Sequence, residues 1–330
     1  MKNKPLQIVS ATIEPGEQVT LGLPTPELYT CAPMHIPIHV IHGKKAGPFL
    51  LVCAAIHGDE INGVAIVQKL LNFVSKRNIK GTLIAVPVVN IFGLLSGERY
   101  LPDRRDLEGN FPGSETGSYA ARYAHSFITE IFSKATHCID LHTGEEHYQK
   151  HPQVVTNFKR KEALELAKIF RAPLTIHSES DYGFLYQMNE ASGIPTLSYH
   201  AGEGKRFDFG GISIGVRGII KVMQHLGMIQ SNTKSLPHTP LSIEKTSWVR
   251  SPGSGLCRLF KKLGTIVKEG EEIAAISDPF GTAQKFTVIS PCNGVIIEQN
   301  NLPLTNEGEP VVKLAHTQGE LSEQPLSEEI

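Results

Sequence analysis

The sequence predicts an α/β protein: a mixed sheet flanked by helices, followed by a small all-β region. Three observations carry this. From Gly47 to Gln230, short apolar runs alternate with stretches of helical spacing. After the polar, proline-containing stretch "SNTKSLPHTP", the segments become short and glycine-punctuated. The 330 residues are 40% hydrophobic and 20% charged, which suits a soluble globular chain with one large unit and one small one.

Taken in order, "HIPIHVIHG" is β-like and suits a sheet edge. "PFLLVCAAI" reads as a buried strand and "EINGVAIVQKLLNFV" as an amphipathic helix. "TLIAVPVV" is a strand, "SYAARYAHSFITEIFSKA" a helix and "HCIDL" a short strand. "KRKEALELAKIF" and "GFLYQMNEASG" read as helices, "PTLSYH" as a strand, and "GGISIGVRGIIKVMQHLG" as the last helix of the alternating region. These segments define a first domain over residues 1–235. A small β barrel-sandwich is expected over 243–318, and "QGELSEQPLSEEI" leaves a polar tail at 319–330.

Charge excludes some partners. Lys and Arg number 32 against 33 Asp and Glu, a net charge of -1, so no electrostatic case exists for nucleic acid or an anionic membrane. No apolar run reaches the roughly 20 residues that span a bilayer. The five cysteines are scattered and never paired as C-x-x-C, which points to free thiols in a reducing, cytoplasmic setting.

Ligands of open α/β sheets sit beyond the carboxyl ends of strands. His57 and Glu60, in "HGDE", follow one strand, and His142, in "DLHTG", follows another. Two imidazoles and a carboxylate form a common donor set for zinc with one open position. Asp140 lies two residues before His142 on the same strand face, where it could orient that imidazole. A histidine and an acid three residues apart can equally share a solvated helix face. It is the placement after two strands that favours a metal.

The ordered set "HGDE", "VVNIFG", "SGERYLPD", "DL…NFPG", "DLHTG" and "GIPTLSYHAGEGKRFD" resembles the succinylglutamate desuccinylase/aspartoacylase family, zinc-dependent deacylases related to the zinc carboxypeptidases. The C-terminal region is similar to the lipoyl- and biotinyl-like β domain of bacterial members. The resemblance implies a zinc-carboxypeptidase-like fold, with His57, Glu60 and His142 holding one Zn2+. It implies Arg99 as the group that polarises the scissile carbonyl. The implied reaction is hydrolysis, by metal-activated water, of the amide of a small acylated amine or amino-acid-like substrate. For Arg99 the alternative is a surface ion pair with Asp103 or Asp106. Self-association as a homo-oligomer is compatible with the sequence.

Three positions depart from the family pattern. Where the family reads D-L-N-R before "FPG", this chain has Glu108 and Gly109, which removes a carboxylate clamp and adds an acid. Asn110 could serve substrate in part. In "YHAGE", His200 stands where the family glutamate base is expected, and Glu203 is retained downstream. His200 could be a base, a fourth zinc ligand or neither, and Glu108 or Glu203 could take the catalytic place of the lost base. A metal-binding relative without turnover, with a ligand-sensing or regulatory role, is therefore the rival reading. A carboxypeptidase is disfavoured because no residue marks a clamp for a C-terminal carboxylate. The tip "SDPFGTA" carries no lysine for a cofactor, Lys285 reads as an ordinary strand residue, and Phe280 could cover a site mouth or a subunit contact.

Overall fold

The computed structural model describes residues 1–29, 33–178, 184, 192–230, 240–281 and 285–317. The chain opens with a hairpin, β1 (Leu6–Ile8) and β2 (Ala11–Ile13). The alternating region supplies β3 (Gln18–Pro24), β4 (His35–His42), β5 (Lys45–Ala54), β6 (Lys80–Val86), β7 (His137–His142), β8 (Tyr148–Thr156), β9 (Leu174–His177) and β10 (Thr196–Gly202). Its helices are α1 (Ile61–Val74), α2 (Ile91–Ser96), α3 (Tyr119–Glu130), α4 (Lys161–Phe170) and α5 (Phe209–His225). The C-terminal part adds β11 (Leu241–Ile243), β12 (Thr246–Arg250), β13 (Gly255–Leu259), β14 (Ile266–Val267), β15 (Glu272–Ser277), β16 (Lys285–Ile289), β17 (Gly294–Asn300), β18 (Leu304–Thr305) and β19 (Pro310–His316).

The expected α/β alternation is present, and "HIPIHVIHG" lies near a sheet edge as β4, with β3 outside it. The expected helix over "GFLYQMNEASG" lies almost wholly outside the described residues, as do 231–239 between the two parts and the tail beyond 317.

β5 shows why its sequence reads as one apolar run. Leu50, Val52 and Ala54 enter the core beneath α1, α4 and α5, while Leu51 and Cys53 enter the core on the α3 side. A strand covered on both faces needs apolar residues at every position. β5 pairs in parallel with β6 and β7, and β7 in parallel with β10. The ends of β5, β7 and β10 thus open on one edge, where HGDE, DLHTG and YHAGE lie.

Among the described residues the large sheet holds 13 strands, with a main path β12-β19-β17-β8-β10-β7-β5-β6-β4-β3. The C-terminal strands therefore continue the sheet of the first part. β17 pairs antiparallel with β8, placing Glu298 opposite Lys150 and Asn300 opposite Tyr148. β11 pairs in parallel with β9. A second sheet, β16-β15-β13-β18, lies within the C-terminal part. The core there gathers Val249, Ile273, Ile276, Val288, Ile296 and Leu314. A smaller core joins the two parts, with Leu174 and Ile176 against Ile243, Val295, Ile297 and Ala315.

Candidate metal centre and active site

β5 gives way at Ala55, whose φ of 52° is a left-handed conformation that costs a non-glycine residue about 1–2 kcal/mol. Asn90 N bonds Ala55 O at 2.8 Å and Val89 N bonds Ala54 O at 2.8 Å, so the loop after β6 holds the bend. The chain then turns through His57-Gly58-Asp59-Glu60, with Glu60 N donating to His57 O at 3.1 Å. Gly58 is required here: a Cβ would lie 1.9 Å from the Gly93 carbonyl carbon of α2. Glu60 occupies the N-cap of α1 but makes no cap hydrogen bond with its side chain. Its carboxylate turns inward instead.

Glu60 Oε1 lies 3.0 Å from His57 Nδ1, and Oε2 lies 2.8 Å from His142 Nδ1. One potential ligand atom from each of the three residues lies within 4.8 Å of the others, and all three side chains are buried. Each imidazole also faces an outer carboxylate through Nε2. His142 Nε2 is 2.5 Å from Asp140 Oδ2, where the i, i+2 spacing on β7 puts it. His57 Nε2 is 3.2 Å from Asp106 Oδ1 and 3.3 Å from Glu108 Oε2, without hydrogen-bond alignment to either. Imidazoles that turn one nitrogen to a centre and the other to a carboxylate are the usual outer-shell arrangement of histidine metal sites.

The electrostatics agree. Burial opposes ionisation of Glu60, but His142 and His57 overcome it and hold the carboxyl well below its usual range. Burial would lower the pKa of His142, but Asp140 and Glu60 raise it to about 10. His57 is likewise driven well above its ordinary value, burial being outweighed chiefly by Glu60. Two imidazolium protons among Glu60, Asp106, Glu108 and Asp140 are the charge that one divalent cation supplies. The donor set, the outer carboxylates and this charge pattern fit zinc.

Arg99 stands beside this group. Its Nε and Nη2 donate to Asp106 Oδ2 at 3.0 and 2.7 Å, Nη2 is 3.7 Å from Glu108 Oε2, and Nη1 is 3.9 Å from Glu145 Oε1. The ion pair with Asp106 thus coexists with a place at the site, because Asp106 also faces His57. Sequence reasoning missed Asp106 as a site residue. Its only sequence signal is the expected ion pair with Arg99, which does not reveal the contact with His57.

His200 lies opposite His142 in the parallel register of β10 on β7, and the rings stack with centroids 4.9 Å apart and planes 14° apart. Its Nδ1 is buried without a hydrogen-bond partner. Burial, then the charges of Lys150 and His142, hold its pKa well below the ordinary value, so it is neutral. Glu108 is ionised: burial opposes this, but contact with His57 and the charge of His142 lower its pKa. Asn110 donates its side-chain amide to Asp106 O at 2.6 Å, which closes the turn that presents Asp106 and Glu108. Glu203 turns both oxygens elsewhere, to His147 N at 3.2 Å and Asn301 Nδ2 at 2.8 Å.

Residues 46–226 match the model of the succinylglutamate desuccinylase/aspartoacylase catalytic domain. An N-alpha-acetyl-L-2,4-diaminobutyric acid deacetylase from Halomonas elongata is 29% identical over 255 residues, 74% of each chain. The product-bound ectoine utilization protein EutE from Ruegeria pomeroyi superposes with a TM-score of 0.82 at 23% identity, covering 96% of this chain and 100% of that one. A succinylglutamate desuccinylase/aspartoacylase from Rhodobacter sphaeroides has a TM-score of 0.78 at 23% identity, covering 90% and 95%. With more than half its length inside the catalytic-domain match and the His-Glu-His group at the strand ends, this chain belongs to the succinylglutamate desuccinylase/aspartoacylase family of deacylases.

Proposed function

We propose that the protein is a zinc-dependent amidohydrolase that removes an acyl group from a small N-acylated amine or amino-acid-like substrate, with a preference for neutral or cationic substrates over doubly acidic ones. The observation that carries this is the convergence of His57, Glu60 and His142 beside Arg99. Zinc, when bound, would supply a Lewis acid and a water of pKa near 7.

The chain's own residues do the rest. Asp106 grips Nε and Nη2 of Arg99, which fixes the guanidinium and leaves Nη1 toward the rim. From there it polarises the substrate carbonyl and shares the charge of the tetrahedral oxyanion, a role worth about a hundred- to a thousandfold in rate. Neutral His200 and ionised Glu108 are the two groups offered for the proton of the attacking water. Ester hydrolysis follows the same course.

Glu108 also sets the preference. It puts a negative charge beside Gly109, the position where the family pattern has an arginine, so a second substrate carboxylate is repelled. The Halomonas relative agrees with this, since its named substrate carries a second amino group. By its sequence, the C-terminal part is read as a lipoyl-like module without a carrier lysine. Lys285 opens β16 opposite Ser277, as an ordinary strand residue would. The tip residue Phe280 is 89% exposed and stands clear of the cores.

The test has two arms. Zinc content should be about one equivalent in the wild type and greatly reduced in His142→Ala; equal content would remove the metal assignment. On a panel of acylated substrates, neutral and basic amides should be turned over faster than N-acetyl-aspartate and N-succinyl-glutamate. The rival reading, a metal-binding protein without turnover, draws on the tie between Arg99 and Asp106; it predicts bound zinc with no hydrolysis across the panel.

A further inference from the structure

The turn that follows His142 is built around a strained residue. His147 has φ 71°, and a side chain at Gly144 would collide with Tyr148 O at 1.7 Å. Tyr148 N closes the turn onto Glu145 O at 3.0 Å. Non-glycine residues keep such a conformation only where their surroundings over-determine it.

Two residues bond the His147 backbone. Its N–H donates to Glu203 Oε1 at 3.2 Å, and its carbonyl accepts from Asn301 N at 2.8 Å. Asn301 Nδ2 then donates to Glu203 Oε2 at 2.8 Å and closes the triangle. Gln299 Nε2, donating to Asn301 Oδ1 at 2.8 Å, fixes which way that amide faces. Glu203 is 5% exposed, and the Arg206 guanidinium stands 3.8 Å from its Oε1. The turn held in this way carries Glu145, which faces Arg99, and Glu146, which pairs with Lys205 Nζ at 2.7 Å.

We propose that Glu203 is a positioning residue, not a chemical one, and that Asn301 of the C-terminal part completes it as a latch on the turn Thr143–His147. The latch fixes the backbone beside His142 and the wall of the site opposite Arg99. This explains how the C-terminal strands reach the chemistry: β17 delivers Asn301 to the rim just past its last pair with β8, Asn300 opposite Tyr148. The activity arm of the test rests on the hydrolase reading; the exchange arm does not.

The experiment uses full-length Asn301→Asp, Glu203→Gln and the double variant. Asn301→Asp sets two carboxylates against each other. It should speed hydrogen exchange of the His147 amide and lower kcat/KM roughly tenfold to a hundredfold, the size expected for a misplaced site. The double variant restores every bond with roles exchanged. The introduced glutamine can donate its amide to the introduced aspartate while its oxygen still accepts from His147 N. It should return exchange and kcat/KM to within about threefold of the wild type, a coupling expected only of partners in contact. A double variant as impaired as Asn301→Asp would overturn the latch. So would a Glu203→Gln enzyme that is inactive with His147 exchange unchanged, since that places Glu203 in the chemistry. If the wild type hydrolyses nothing on the panel, the hydrolase reading fails, and the exchange series still decides the latch.

Discussion

Gly109 is exposed, and a Cβ built on it meets nothing within 4 Å. An arginine can therefore be restored there without strain. Glu108→Asn with Gly109→Arg should raise relative kcat/KM for doubly acidic acyl amino acids by roughly tenfold to a hundredfold, the worth of one or two charge-assisted hydrogen bonds. Competition between N-acetyl-aspartate and a neutral amide measures it; an unchanged ratio would show that these positions do not read the substrate. His57, Glu60, His142 and the supporting Asp140 were legible because each follows or ends a recognisable strand. Asp106 was not, because its meaning depends on three-dimensional contact with both Arg99 and His57. Asn301 was hidden for the same reason, in the region expected as a separate small β domain.

At the scale of the element, the HGDE turn and α2 are pressed together with no room for a methyl group. Gly58→Ala should cost at least the roughly 1–3 kcal/mol typical of overpacking and should weaken zinc binding as well, because His57 and Glu60 flank the displaced residue. Thermal melting and metal content report the two effects, and a variant normal in both would refute the packing argument. β8 was the strand least visible in sequence. "YQKHPQVVT" alternates poorly and contains Pro152, which weakens a strand reading. Its polar residues meet a neighbour that local pattern does not show, for β17 of the other part of the chain pairs with Tyr148, Gln149 and Lys150.

The next residue of β8, His151, is 7% exposed with Nε2 unpartnered, and its ring lies against Gly264 of the C-terminal part. Burial lowers its pKa to about 4. The unfolded chain takes up the proton near pH 6.5 and the folded chain does not. Stability is therefore intact above about pH 6.5 and is lost as pH falls toward about 4, by up to roughly 3 kcal/mol. Melting curves of wild type and His151→Gln should converge at neutral pH and separate on acidification in favour of the variant. Parallel curves would show that His151 does not titrate in this way.

At the scale of the molecule, the two parts share one sheet and one small core. A chain ending at residue 230 would bare the edge of β8 and the apolar faces of Leu174 and Ile176, whose burial is worth about 1.5–3 kcal/mol each. That fragment should aggregate or lose its fold, as size-exclusion chromatography and circular dichroism would show. A soluble, folded fragment would mean that the shared sheet is dispensable.

The same ladder bears on traffic through the site. In many enzymes built of two halves, a hinge opens to admit substrate and closes for chemistry. Here a hinge would have to unzip Glu298 from Lys150, Gln299 from Gln149 and Asn300 from Tyr148 at every turnover. The halves are riveted together by this ladder. If the proposed hydrolysis takes place at the site, substrate and product come and go without the swing of one half against the other.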